Sequence, residues 1–326
     1  MAKARAIVKR RKAVRNIRKI TRTMQMIATA KFQKSLKRAV GTKPYALKVR
    51  EIVGDVARAA GDVEHPLFRQ VDPQTASKRV AFVMLTSNRG LAGGYNGNVI
   101  RTSMKFIQNL EAQGLTVDLY VAGKKGATYL NFQKKPIKAK VTISDPPKFI
   151  EAEQLADELM AEFASGKIDA VYVGFMNFIS TGVQRPDVMP LLPLGALKET
   201  IDNIAKQVAE KEEQAKRGAL DDKHIGVTTT MVSPEPSDNN LMYEFSPDAK
   251  ELLDELIPLA VKTAFFQTYL DAATSEHVAR MVAMKAATDN AEEMARALTL
   301  QYNRARQGQI TTELSEIMGG VEAMKG

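Results

Sequence analysis

Cysteine and tryptophan are both absent from this sequence of 326 residues. Without cysteine there can be no disulfide, thiolate nucleophile, iron–sulfur cluster or Cys-ligated zinc, a composition that fits a reducing compartment. Histidine is scarce too. His65, His224 and His277 lie far apart, and no H-x-x-x-H or Cys/His spacing offers a metal site. No run approaches the ~18 consecutive apolar residues that a membrane-crossing helix needs. The N-terminal stretch MAKARAIVKRRKAVRNIRKI is basic but lacks the apolar core and cleavage signal of a secretory peptide, so no such peptide is expected. There is no G-x-G-x-x-G, G-x-x-x-x-G-K-[ST] or G-x-S-x-G motif, and carboxylate pairs such as Glu292/Glu293 fall on a solvated helix face. The residues present no catalytic constellation.

A further absence is one of charge. The first fifty residues contain no Asp or Glu, while Lys and Arg recur from Lys3 to Arg50, and the whole chain carries a net charge of +10. Solvated helices usually mix signs. A helix of one sign implies an acidic counterpart: nucleic acid, an anionic membrane surface or the carboxylates of a protein partner.

Glycine and proline are missing from two long stretches, Ala2 to Val40 and residues 259 to 307. Strong helix formers fill the second. Leu270, Ala273, His277, Met281, Met284, Thr288, Ala291, Ala295, Leu298, Tyr302 and Ala305 step in alternating threes and fours, the spacing of a seam that wraps one partner helix. Val14, Ile17, Thr21, Met24, Ala28, Phe32 and Ser35 do the same at the other end, so the two ends of the chain are expected to pair. Small and polar seam residues bury little apolar area, which leaves such a pair marginal alone and implies a third body around it. Gly41 and Pro44 are expected to punctuate the first helix, which resumes and then ends at Gly61.

Between the ends the period changes. Val80–Leu85, Leu115–Val121, Val141–Ile143, Ile168–Phe178 and Val188–Leu194 read as strands, alternating with helices over Asn98–Leu110, Lys124–Asn131 and a segment opened by Pro147. That alternation predicts a mostly parallel sheet. The domain plan is therefore an N-terminal coiled-coil helix (1–61), a linker (62–77), an α/β domain (78–195), an inserted charged segment (196–240) and a C-terminal coiled-coil helix (241–326), which Ser246 would cap with Pro247 in its first turn. The turn Ser87-Asn88-Arg89-Gly90-Leu91-Ala92-Gly93-Gly94 sits where a phosphate cradle could lie. Its glycine spacing favours a tight strand-to-helix turn instead, and Gly123-Lys124-Lys125-Gly126 reads the same way.

The segments ARAIVKRRKAVRNIRKITRTMQMIATAKFQKS, RVAFVMLTSNRGLAGGYNGNV, ARMVAMKAATDN and YNRARQGQITTELSEIMGGVEA together resemble the gamma subunits of F-type ATP synthases. In that family a C-terminal signature reads [IV]-T-x-E-x-x-[DE]-x-x-x-G-A. Ile310, Thr311, Glu313, Glu316 and Gly320 match it, and Val321 stands where Ala is usual. The resemblance implies an α+β chain in which the terminal helices form a long antiparallel coiled coil beside a central α/β (Rossmann-like) domain. It implies a central rotor shaft that couples ion flow to ATP synthesis or hydrolysis and regulates the ATPase. Its partners would be three alpha and three beta subunits, an epsilon subunit and the membrane c-ring. It further implies no catalytic site and no cofactor of its own, and a peripheral place on the cytoplasmic face of a bacterial plasma membrane. Carried over by position, Lys19 and Met24 resemble shaft residues near an acidic loop of the catalytic subunit. Arg306, Gln307, Thr311 and Glu313 resemble its upper contact, Arg280 a charged residue of the coupling region, and Tyr243 and Glu244 the foot that faces the membrane ring. Photosynthetic members carry extra sequence where residues 196–240 fall. Lacking cysteine, this insertion cannot switch by thiol chemistry, and a redox-independent brake on hydrolysis or a passive elaboration remain as its readings. The competing reading of the basic helix is a nucleic-acid-binding coiled coil, which predicts salt-dependent binding but leaves the C-terminal signature without a purpose.

Overall fold

The computed structural model describes residues 2–59, 65–68, 76–193 and 249–323. In chain order these form helix α1 (Ala2–Ala59), a 3-10 turn (Pro66–Phe68), β1 (Arg79–Leu85), α2 (Tyr95–Ala112), β2 (Thr116–Ala122), α3 (Lys124–Phe132), β3 (Ala139–Val141), α4 (Phe149–Ala164), β4 (Ala170–Phe178), β5 (Gln184–Leu192) and α5 (Ala249–Ala323). The inserted segment 196–240, the cap at Ser246 and Pro247, and the foot residues Tyr243 and Glu244 lie outside the described residues.

Helices α1 and α5 pack antiparallel. Arg11 stacks on Tyr302 with its guanidinium carbon 4.9 Å from the ring centroid, Val14 clusters with Ala291, Ala295 and Leu298, and the Thr21 and Thr288 hydroxyls lie 2.8 Å apart. Among the described side chains of α1, the buried ones are Val14, Thr21, Ala28, Phe32, Ser35, Ala39, Val49 and Val53. They follow one heptad rhythm over most of the helix. Two sequence expectations change here. Ile17 is not in the seam but 51% exposed. Gly41 and Pro44 do not interrupt α1, which runs unbroken to Ala59. Pro44 is exposed on the outer face, so its ring meets solvent while Ala39, Val49 and Val53 stay buried on either side. Burial along the seam outweighs a proline penalty of about 3 kcal/mol.

The sheet has the order β3-β2-β1-β4-β5, with β5 antiparallel to β4 and all other neighbours parallel. Alternation along β1 sorts two cores. Ala81, Val83 and Leu85 face α4 and α5, whereas Phe82 and Met84 face α2. Strand β5 is an edge, the position that tolerates Pro186 and Pro190. Gly174 on β4 is required by packing, because a Cβ there would sit 2.3 Å from Ser103 Oγ and 2.8 Å from the Phe82 ring.

The first half of α5 is more than a seam. Val261, Thr263, Phe265, Thr268, Tyr269, Leu270, Thr274, Ser275, His277 and Val278 are all buried, so this stretch is at once α1's partner and a core element of the α/β domain. The expected two-helix seam is thus corrected over residues 261–278, where α5 also enters the core of the α/β domain. The hydroxyls explain why. Thr263 and Thr274 donate to the carbonyls four residues earlier, Thr268 to the one three earlier, and Ser275 to Met176 O on β4. A satisfied small hydroxyl can be buried with little penalty.

Candidate functional site: the shaft and its contacts

Because Arg11 faces Tyr302, continuing the register to Ala2 places the start of α1 opposite the stretch around Thr311. Helix α5 runs on from there to Ala323 without its partner. On this free end Ile310, Leu314, Ile317, Met318 and Val321 are 46 to 67% exposed. Their spacing of four, seven, eight and eleven residues draws one apolar stripe along the helix. Several large aliphatic side chains in a row on an exposed helix mark an interaction surface. Thr311 and Thr312 donate to the carbonyls of Gln307 and Gly308, and Gln309 reaches Glu313 at 2.8 Å, so the polar side chains of the tip are tied to the helix itself.

Arg306, Gln307, Thr311 and Glu313 all lie exposed at or beyond the end of the paired region, a cluster on one helix. Lys19 is exposed on α1, well down the shaft from them. Met24 is half-buried and lines, with Arg280, a cleft between the coil and the α/β domain. The apolar stripe itself escaped the sequence reading, although its signal was there: the heptad seam ends near Ala305, yet apolar residues continue at helical spacing.

The α/β domain is clamped to the shaft at several points. Asp145, in the loop after β3, meets Lys31 of α1 at 2.5 Å and His277 Nε2 of α5 at 3.2 Å. The hydrogen bond from His277, then that from Lys31, hold the Asp145 carboxyl well below the usual range despite partial burial. Phe32 packs on Phe178 at the end of β4, with ring centroids 6.2 Å apart. Lys262 joins Glu153 and Asp157 of α4 at 3.1 and 2.9 Å. The glycine-rich turn also docks here. Arg280 pairs with Glu276 at 2.6 Å and reaches the Gly90 carbonyl at 3.4 Å, and a Cβ on Gly93, whose φ is +54°, would touch Ala283. Ser87 N–H donates to Asn96 Oδ1 at 2.9 Å inside the turn. This is a strut against α5.

The acidic counterpart to α1 is partly internal. The Glu292 carboxyl is held below its usual range first by its bond to Arg296 and next by Arg18 across the seam. Lys9, Arg10, Lys12, Arg15 and Lys19 remain exposed on the outer face. Among the described residues no group of three or more His, Asp or Glu could hold a metal ion, and no helix is long and apolar enough to cross a membrane.

A two-helix shaft with a free apolar tip, a one-signed basic flank and an α/β body clamped to it is the α+β architecture that the sequence resemblance implied. The ATP-synt family model, described as ATP synthase, matches residues 3–324. The chain is 39% identical over 327 residues to the ATP synthase gamma chain of Rhodopirellula baltica, covering 100% of both, and 37% identical to that of Leptospira biflexa, covering 99% of this chain and 100% of the relative. It belongs to the ATP synthase gamma chain family. Among solved structures, a chain of the Euglena gracilis mitochondrial ATP synthase, OSCP/F1/c-ring in rotational state 3, matches with a TM-score of 0.61 at 17% identity, over 99% of this chain and 95% of that one. A chain of the Tetrahymena thermophila mitochondrial ATP synthase central stalk/c-ring matches with a TM-score of 0.54 at 18% identity, over 82% and 99%. At these identities the likeness is one of fold.

Proposed function

We propose that this chain is the central rotor shaft of an F-type ATP synthase, turning between the membrane c-ring and the catalytic beta subunits, and that it carries no catalytic site of its own. The observation that supports this most is the free end of α5. A single helix with an apolar stripe has no reason to stand alone in water; a surrounding sleeve of alpha and beta subunits would cover it and supply the third body that the weak Ala- and Thr-rich seam requires. The exposed cations of α1 suit acidic loops pressed against the shaft from outside. Arg306, Gln307, Thr311 and Glu313 then meet the upper rim of the sleeve, Lys19 and Met24 an acidic loop of beta, and Arg280 braces the coupling region. Tyr243 and Glu244 would reach the c-ring, with epsilon beside the α/β body. The complex would sit peripherally on the cytoplasmic face of a bacterial plasma membrane.

Native mass spectrometry of the complex that carries this chain out of detergent-solubilised membranes tests the reading. One copy with three alpha and three beta subunits is the expected result. A lone monomer or dimer, or a complex with nucleic acid, would overturn it. Nothing in the comparisons supports the nucleic-acid alternative.

A further inference from the structure

The turns that leave β1 and β3 meet the shaft, Gly90 O at Arg280 and Asp145 at Lys31. Strands β1 to β4 are mutually parallel, so the segments that enter them share the opposite face of the α/β domain. Hydrogen bonds knit this face together: Thr116 N–H donates to Lys78 O at 2.7 Å and Asp169 N–H to Arg79 O at 2.8 Å. Helices α2, α3 and α4 each lead into the next strand and therefore end here.

The acids of this face are taken. Glu111 is held by Lys135 at 2.5 Å, Asp118 by Arg79 and Lys138 at 2.8 and 3.3 Å, and Glu162 by Lys138 at 2.7 Å, while Asp169 Oδ1 accepts from Ser77 N–H at 3.2 Å. Lys78, Lys134 and Lys167 are exposed and have no ion pair among the described residues. Two of them sit where glycine is favoured. The chain leaves α2 and α4 through Gly114 (φ +81°) and Gly166 (φ +72°), but it leaves α3 through Lys134 (φ +55°), and Lys78 leads into β1 at φ +56°. Side chains kept against backbone strain point to a use for them.

At the end of α3, two residues before Lys134, Phe132 is 81% exposed, more than any other large apolar side chain among the described residues. The others that are exposed lie on α1, α5, the first turn of α4 and the turns at the far end of the strands, so this face has no apolar core for a protein interface. A lone aromatic ring among unpaired lysines suits a membrane surface, where the ring enters the headgroup region and the ammonium groups meet lipid phosphates.

We propose that the strand-entry face of the α/β domain binds an anionic lipid surface through Phe132, Lys78, Lys134 and Lys167. The proposal agrees with a rotor whose base faces the membrane but does not rest on that reading, since the face is contained in this chain alone.

The chain has no tryptophan, so Phe132→Trp puts a single fluorescent reporter on this face. Met26→Trp, at a residue 64% exposed on the basic flank of α1, puts one on the competing cationic surface. Each full-length variant is mixed with vesicles of phosphatidylcholine alone, or of phosphatidylcholine and phosphatidylglycerol together. Emission from position 132 should move to the blue and lose its quenching by iodide on the anionic vesicles only. Adding Lys78→Gln, Lys134→Gln and Lys167→Gln to Phe132→Trp should weaken that response about tenfold or more. A response from position 26 with none from position 132 would give vesicle binding to α1 and overturn the proposal. So would no response from either position, an equal response on neutral vesicles, or one that the lysine substitutions leave unchanged. Shielding of position 132 in the assembled complex but not on protein-free vesicles would give the face to a protein partner and overturn it as well.

Discussion

The Thr21 hydroxyl of α1 lies 2.8 Å from the Thr288 hydroxyl of α5, both buried in the seam. Thr21 Oγ1 is also 3.1 Å from Arg18 O, and Thr288 Oγ1 2.8 Å from Met284 O. Two hydroxyl protons serve three contacts, so one back-bond to a carbonyl is given up whenever the hydroxyls bond to each other. This polar rung fixes the register of the coil at a level where the flanking residues are mostly small.

Replacing one threonine by valine removes the bond across the seam and leaves the other hydroxyl to its own helix. Thr288→Val should cost about 1 kcal/mol. The double variant Thr21→Val, Thr288→Val should cost little more than the single one, because the bond across the seam is already lost in it. Urea unfolding of the full chain measures both. A double variant that loses the sum of the single effects would show that the hydroxyls do not act as a pair.

Asp271 gives the shaft a pH dependence. Burial pushes its carboxyl up to about 6, against the pull of Lys43 and of the hydrogen bond from Gln267 Nε2. A carboxyl that holds its proton more tightly when folded stabilises the fold below its ordinary value of 3.8, and that contribution is lost as pH rises through about 6. Asp271→Asn should remove the dependence, so that the variant gains on the parent by as much as about 2 kcal/mol between pH 4 and pH 7. Melting temperatures of both proteins across that range would show the gap opening. A gap that stays constant with pH would contradict the assignment.

Gly123 closes the turn from β2 to α3 with a φ of +86°, and a Cβ there would lie 2.1 Å from Thr86 O. Backbone cannot yield as a flexible side chain can. Gly123→Ala should cost roughly 3 kcal/mol or more, through the clash and the left-handed conformation together. Gly41→Ala is the contrast: nothing lies within 4 Å of its Cβ position on a regular stretch of α1, so it should be neutral or stabilising by up to about 1 kcal/mol. Thermal unfolding of the two variants side by side checks both signs.

Met24→Lys tests the proposed contact with the catalytic subunit. It adds a cation beside the exposed Lys19 and Arg22, on a helix whose first fifty residues contain no acid, and should strengthen the hold of an acidic loop. Proton pumping per ATP hydrolysed, measured in membrane vesicles, should fall. Fully retained coupling would remove Met24 from the contact.

Sequence periodicity revealed what depends on local pattern. The α5 seam from Met284 to Leu298 and the alternation of strands and helices were legible because each repeats within a few residues. Ile17, apolar and at seam spacing, lies outside the α1 seam because hydrophobicity alone does not set the register. Arg18 holds the heptad place, and its long aliphatic stem can lie along a seam while the charge reaches water. The breadth of burial on α5 was hidden for the opposite reason: Thr263, Thr268, Thr274 and Ser275 look polar, yet their hydroxyls are satisfied by nearby backbone carbonyls. The clamp of Lys31, Asp145 and His277 joins residues more than a hundred positions apart, and no local pattern announces such a meeting.

The central claim is that the chain turns as a shaft. Since it contains no cysteine, Lys105→Cys on the exposed face of α2 gives a single attachment point on the α/β body once any cysteines of the alpha and beta subunits are replaced. A bead fixed there, with the alpha and beta ring held to glass, should rotate stepwise in one direction when ATP is added. A bead that stays still while ATP is being hydrolysed would contradict the rotor assignment.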